Sequence, residues 1–207
     1  MEIDYKKLYK LQDEIFIIFN DKSINFYLTG GTCLHRFYSE KRYSEYLDFF
    51  CNDNNLFREY IYQIKKILEK NIEVVVDTKD FVRLQYDILK IDLVNERSYY
   101  YGEINIKNNI KIDNIKNILA NKIGAICSRD EPKDIVDLCT IFDFITIEWD
   151  EIFEIVNKKM NFNLDFFLYR LKVFPEELFE VVNFKDKIFE KKCYNILKDI
   201  IKQIESL

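Results

Sequence analysis

The chain has 207 residues, 48% of them hydrophobic, with 31 basic and 36 acidic side chains and a net charge of −5. That apolar fraction supports a substantial core and excludes an intrinsically disordered chain, and the acidic balance excludes a protein that coats nucleic acid indiscriminately. No run approaches the ~20 apolar residues that span a bilayer, and Met1-Glu2-Ile3-Asp4-Tyr5-Lys6-Lys7 lacks the layout of a signal peptide; the expected location is cytoplasmic, with no membrane partner.

The first element is an amphipathic helix over Tyr5–Phe19, with Leu8, Leu11, Ile15 and Ile18 three or four residues apart. Asn20-Asp21-Lys22-Ser23 ends it, Phe26-Tyr27-Leu28 forms a short strand, and Gly30-Gly31 leads into a helix that reaches Tyr38. A second strand covers Leu47–Cys51. Asn52-Asp53-Asn54-Asn55 then caps a helix that runs to Lys70 and buries Phe57, Tyr60, Ile61, Ile64 and Leu68. Three β-rich segments follow at Ile72–Val76, Phe81–Tyr86 and Ile88–Val94, the first two joined by the turn Asp77-Thr78-Lys79-Asp80. No strong turn signal separates the last two. Tyr99–Ile112 reads as irregular with a short edge strand, and Asp113 starts a helix that ends at Cys127 or Ser128.

From Pro132, a residue suited to the first helical position, the pattern is helical. Ile135, Leu138, Ile141, Phe142 and Ile145 give the first apolar side, and further helices are expected at Trp149–Lys159, Leu164–Lys172, Pro175–Val182 and Lys185–Ile204. The expected fold is α+β: a mixed sheet flanked by helices over residues 1–112, then a helical domain over residues 113–207 packed against it. Five widely spaced cysteines and one histidine, His35, make no zinc spacing and leave Ser–His and Cys–His hydrolase chemistry without support.

The chemistry concentrates around Leu28-Thr29-Gly30-Gly31-Thr32-Cys33-Leu34. Glycines after a strand let the backbone turn sharply and approach a phosphate, and Thr32 and its neighbours open a helix whose N-terminus favours anions. Alternation along the second strand puts Asp48 and Phe50 on one face and Leu47, Phe49 and Cys51 on the other. A carboxylate at position 46 would join Asp48 in a metal clamp, but the residue there is Tyr46, and Glu45 points to the opposite face of a regular strand. Asp92, flanked by apolar residues, needs a partner: either a divalent metal shared with Asp48, or an ion pair with Lys90 or Arg83. Lys122 falls on the stripe Ile115, Leu119, Lys122, Ile126, just upstream of Arg129, Asp134 and Asp137. That group is either a salt-bridge cluster joining two helices or a lysine for nucleotide phosphates with an aspartate to orient it.

Taken in order, Gly30-Gly31-Thr32, Arg42-Tyr43-Ser44-Glu45-x-Leu47-Asp48-Phe49-Phe50, Ile91-Asp92, Leu119-Ala120-x-Lys122 and Arg129-x4-Asp134-x2-Asp137-Leu138 resemble the AbiEii/AbiGii toxin family of nucleotidyltransferases. The resemblance covers residues 20–145. It implies a DNA-polymerase-β-like nucleotidyltransferase fold and transfer of a nucleotide from an NTP, in a toxin–antitoxin or phage-defence setting. It further implies phosphate binding by Gly30, Gly31 and Thr32, magnesium held by Asp48 and Asp92, and an active site completed by Lys122 and Asp134. Tyr46 departs from the family's Asp-x-Asp pair. The expected acceptor is an RNA, with transfer RNA included, or a protein hydroxyl, and a cognate antitoxin is an expected partner. The alternative is a catalytically degenerate nucleotidyltransferase fold that binds nucleotide, RNA or protein.

Overall fold

The computed structural model describes residues 3–20, 24–69 and 71–207. The expected turn over Asp21-Lys22-Ser23 and the helix end at Lys70 lie outside them, as do Met1 and Glu2 of the leading segment. The chain divides into two compact units, both discontinuous in sequence. Unit 1 comprises residues 1–33, 44–97 and 103–113, and unit 2 comprises residues 34–43, 98–102 and 114–207.

Unit 1 is a mixed sheet with helices against one face. Its elements in chain order begin with α1 (Tyr5–Phe19), β1 (Tyr27–Thr29), the first turn of α2 (Gly30–Phe37), β2 (Tyr46–Cys51) and α3 (Phe57–Leu68). The strands β3 (Ile72–Asp77), β4 (Phe81–Tyr86), β5 (Leu89–Asn95), β6 (Asn105–Lys107) and β7 (Ile110–Ile112) follow. Among the described residues the sheet has seven strands in the order β3-β4-β5-β2-β1-β7-β6. β2 pairs with β5, and β1 with β7, in parallel, and every other pairing is antiparallel.

The period-2 alternation decides which face is covered. Leu47, Phe49 and Cys51 of β2, Leu89, Ile91 and Leu93 of β5, and Val82 and Leu84 of β4 are all buried. On this side Phe49 stacks on Phe19 of α1 with ring centroids 3.9 Å apart, and Phe26 packs against Phe57 and Tyr60 of α3. The apolar face expected for α3, Phe57, Tyr60, Ile61, Ile64 and Leu68, is the one it buries. The other face of the strands carries the polar residues and is only half-buried.

Three expectations are corrected within this unit. The segment read as irregular with one edge strand is a hairpin, β6–β7, whose second strand lies inside the sheet beside β1. Its turn is Asn108-Asn109, both left-handed (φ 50° and 63°), a backbone region asparagine tolerates better than most residues. The unmarked boundary between the second and third β segments is the two-residue turn Asp87-Ile88, with Asp87 at φ 51°. The helix expected from Asp113 begins two residues later: Asp113 belongs to the end of the sheet and Asn114 is the cap, accepting from the backbone N–H of Asn117.

Unit 2 is helical. After the remainder of α2 it contains α4 (Ile115–Ser128), α5 (Pro132–Phe144), α6 (Trp149–Lys159), α7 (Leu164–Lys172) and α8 (Lys187–Glu205). Pro132 takes the first position of α5. Asn163 and Asp186 cap α7 and α8 with their side chains, contacts worth about 1 kcal/mol each. A cluster of Trp149, Phe153, Phe162 and Phe167 fills the space around α6 and α7. The helix expected over Pro175–Val182 shrinks to a single 3-10 turn at Glu176–Phe179, anchored by Phe179 against Phe174 and Tyr194. Among the described residues no helix is long and apolar enough to cross a membrane.

Candidate active site

In unit 1 a row of polar side chains crosses the half-buried face. Arg83 of β4 is the register partner of Asp92 on β5, Asp92 is the partner of Asp48 on β2, and Asp48 is the partner of Thr29 on β1. Thr29 Oγ1 donates to Asp113 Oδ2 at 2.6 Å, which ends the row. Parallel pairing of β2 with β5 sends the two partner side chains to the same face, so the carboxylates of Asp48 and Asp92 stand side by side. Arg83 holds Asp92 with a fork, Nε to Oδ1 at 2.7 Å and Nη2 to Oδ2 at 2.6 Å. Of the two readings of Asp92, the ion pair is therefore present in the structure, beside the second carboxylate that a shared metal would use.

Gly30 explains how Asp48 reaches the start of α2. Its φ is +67°, and a Cβ built on it would lie 2.5 Å from Asp48 Oδ2. Conformation and space both demand glycine there. Thr32 is fully buried, and its hydroxyl donates to the Tyr46 carbonyl and is hydrogen-bonded to Ser44 Oγ at 2.8 Å. The hydroxyl is thus a clamp between α2 and β2, which leaves the backbone N–H groups of the first turn as the group suited to an anion.

Tyr46 begins β2 on the same face as Asp48, and Lys90 Nζ lies 5.3 Å from its ring centroid. Glu45 precedes the strand and accepts from the Tyr5 hydroxyl at 2.9 Å. It does not stand in for the missing carboxylate. Among the described residues no three His, Cys, Asp or Glu side chains converge as a metal cage. Two adjacent carboxylates nevertheless fit magnesium, a hard cation that keeps water and phosphate oxygens and needs only one or two protein carboxylates.

In unit 2 the expected polar residues form a buried charge network. Lys122 Nζ lies 2.8 Å from Asp134 Oδ1 and 2.6 Å from Asp137 Oδ2. Asp137 also accepts from Arg42 Nε and Nη2, at 2.7 and 2.8 Å, and lies 2.8 Å from His35 Nε2. Arg129 Nε closes on Asp134 Oδ2 at 2.7 Å. Burial by itself would raise the Asp137 carboxyl, but Arg42 and Lys122 hold it well below the usual carboxylate range. Asp134 is lowered likewise against its burial, by Lys122 and Arg129. Burial would lower Lys122, yet Asp137 and Asp134 keep it above an ordinary lysine. Burial, then Arg42, pushes His35 below an ordinary histidine despite its hydrogen bond to Asp137.

The sequence marks neither Thr29 nor Asp113 as a site residue; it offers Arg83 as an ion-pair partner of Asp92, and Asp137 either as part of a salt-bridge cluster or as an aspartate that orients Lys122. The period-2 pattern of Phe81–Tyr86 against Leu89–Asn95 carries the Arg83–Asp92 pairing once the Asp87-Ile88 turn is fixed. His35 and Arg42, in contrast, reach Asp137 across about a hundred residues, and no local pattern marks that.

Comparisons with known proteins agree with this architecture. The profile of the family described as nucleotidyl transferase AbiEii toxin, type IV TA system, matches residues 17–191. No curated protein sequence matches significantly. Among solved structures, JHP933 from Helicobacter pylori superposes with a TM-score of 0.58 at 21% identity, over 100% of this chain and 95% of that one. MenT4, a nucleotidyltransferase toxin from Mycobacterium tuberculosis H37Rv, gives 0.59 at 13% identity, over 97% and 87%. The antibiotic-resistance factor ANT(2'')-Ia gives 0.54 at 11% identity, over 75% and 91%. At these identities the likenesses establish the fold.

Proposed function

Since the chain belongs to the AbiEii nucleotidyl transferase toxin family of type IV toxin–antitoxin systems, and is a nucleotidyltransferase by that membership, we propose that it transfers a nucleotide from an NTP to a hydroxyl of an RNA, with transfer RNA included, or of a protein. The supporting observation is the side-by-side placement of Asp48 and Asp92 against the Gly30 turn. In this reading the acceptor hydroxyl gives up its proton to water as its oxygen bonds to the α-phosphorus in line, while the bond from that phosphorus to the bridging oxygen breaks and pyrophosphate leaves with the electron pair. The first-turn N–H groups of α2, from Gly30, Gly31 and Thr32, bind phosphate oxygens. Asp48 and Asp92 are the residues to hold magnesium, which when bound neutralises phosphate charge.

The protein's part is then positioning and electrostatics, in a site fixed before substrate arrives. Lys122 is assigned to nucleotide contact on the family resemblance, and Asp134, bonded to it at 2.8 Å, orients its ammonium. The setting is the cytoplasm, where NTPs are found, in a toxin–antitoxin or phage-defence role with a cognate antitoxin.

One observation favours a second reading, a binding module without turnover: Tyr46 occupies the face where the family's first aspartate is expected, and a phenol is a poor ligand for magnesium, which prefers carboxylate, phosphate and water oxygens. The experiment incubates the purified chain with magnesium, each labelled NTP, and total RNA or protein. Label transferred to RNA or protein supports the enzyme. Nucleotide binding without transfer, even in Tyr46→Asp, supports the binding module.

A further inference from the structure

We infer that Arg83 replaces a second metal ion: the chain engages its nucleoside triphosphate with one divalent cation and the Arg83 guanidinium. The inference rests on the nucleotidyl-transfer reading above. Arg83 stands in the same row as the two site aspartates, as the register partner of Asp92. Its Nε and Nη2 are spent on Asp92, whereas Nη1 makes no hydrogen bond among the described residues. The side chain is 39% exposed against 15% for Asp92, so the guanidinium offers a donor and a full charge on the open side of the row. Arginine stays charged at any working pH, and its fork binds carboxylate and phosphate oxygens with the same geometry.

Charge balance gives the reason for this arrangement. A site with three carboxylates needs two divalent cations to reach a net charge of plus one before the triphosphate arrives. With Tyr46 in place of one carboxylate, Asp48, Asp92, Arg83 and a single divalent cation reach the same net charge. A second divalent cation in this row would meet one carboxylate fewer and one guanidinium more. Lys90, next to Tyr46, adds further positive charge where the third carboxylate is missing. In this chain the tyrosine and the arginine therefore act together, lowering the number of metals without lowering the attraction for phosphate.

The test measures binding, separately from turnover. A non-hydrolysable NTP analogue is titrated onto the wild-type chain in Mn2+, and bound Mn2+ is counted by the paramagnetic signal of the free ion. One Mn2+ per chain–nucleotide complex is expected. Arg83→Gln should weaken nucleotide binding about tenfold or more, the loss of a charge-assisted contact, while Arg83→Lys, which keeps the charge, should retain most of the affinity. Tyr46→Asp combined with Arg83→Gln should bind a second Mn2+. Two Mn2+ in the wild type, or Arg83→Gln within about twofold of wild-type affinity, overturns the inference and leaves nucleotidyl transfer standing. A wild-type chain that binds no nucleotide overturns both. If Arg83→Gln does not give the circular dichroism of the folded chain, the wild-type metal count decides.

Discussion

The carboxylate of Asp48 lies so close to Gly30 that a single methyl group on the glycine would meet Oδ2 at 2.5 Å. Gly30 also sits at φ +67°, where a side chain costs about 1–3 kcal/mol. Gly30→Ala should therefore lower stability by that amount and displace Asp48. The checks are chemical denaturation and Mg2+-dependent NTP binding: a variant that keeps wild-type affinity at reduced stability would confine Gly30 to a backbone role.

Tyr46 tests how much catalysis the row retains. Weak magnesium-dependent transfer is expected from the chain as it stands, with a gain when Tyr46→Asp restores the second carboxylate on the face of β2. Asp48→Asn should reduce both activities by about 10²- to 10³-fold, the scale on which a preorganised electrostatic contact acts. The measurement is label transfer from each NTP under matched magnesium.

Lys122 is held by two buried carboxylates, so Lys122→Ala should cost about 3–5 kcal/mol, the penalty for leaving buried charge unpaired. Lys122→Met, which keeps the stem, exposes the same penalty. If Lys122 also contacts nucleotide, the folded fraction of either variant should bind NTP more weakly than the folded fraction of Asp137→Asn, which strips charge from the same network. Equal NTP affinities would leave Lys122 structural.

The network also sets a pH window. His35 lies below 6.5 in the folded chain, by burial first and then Arg42. The unfolded chain therefore binds its proton first, and stability falls as pH drops from 6.5 towards the folded value. Asp137 and Asp134 lie below 3.8, so their contribution is complete above that pH and is lost as pH falls through their folded values. Lys122, raised above 10.5, contributes fully below 10.5 and loses its contribution as pH rises through its folded value. Urea midpoints against pH should show a plateau from 6.5 to 9.0, above which the buried thiols of Cys33 and Cys139, pushed well above 9.0 by burial, lower stability because the unfolded chain loses those protons first. Below 6.5 the decline has two stages, and His35→Gln should remove the first alone.

What could be read from the sequence follows the range of the interaction. The burial of α3 and the facing of Asp48 depend on periodicities of 3.6 and 2, which lie within a dozen residues. Of the β6–β7 hairpin only a short edge strand was legible, because each strand has three residues and the turn is Asn108-Asn109, with no glycine to mark it. Arg83 was visible as a candidate partner for Asp92, but choosing it over Lys90 required the register set by the Asp87-Ile88 turn. The tie of His35 and Arg42 to Asp137 had no local signature, because long-range ion pairs leave no period in the chain. Tyr46 was legible from resemblance and alternation together, since either one alone would leave it an ordinary strand aromatic.

The polar row from Arg83 to Asp113 draws one residue from each of four strands and one from the residue after a fifth. A one-residue slip of β5 against β2 would present Ile91 or Leu93 to Asp48 in place of Asp92. The carboxylate pair therefore has no partial form: a chain with β5 out of register against β2 lacks the Asp48–Asp92 pair and, with it, the place proposed for the metal.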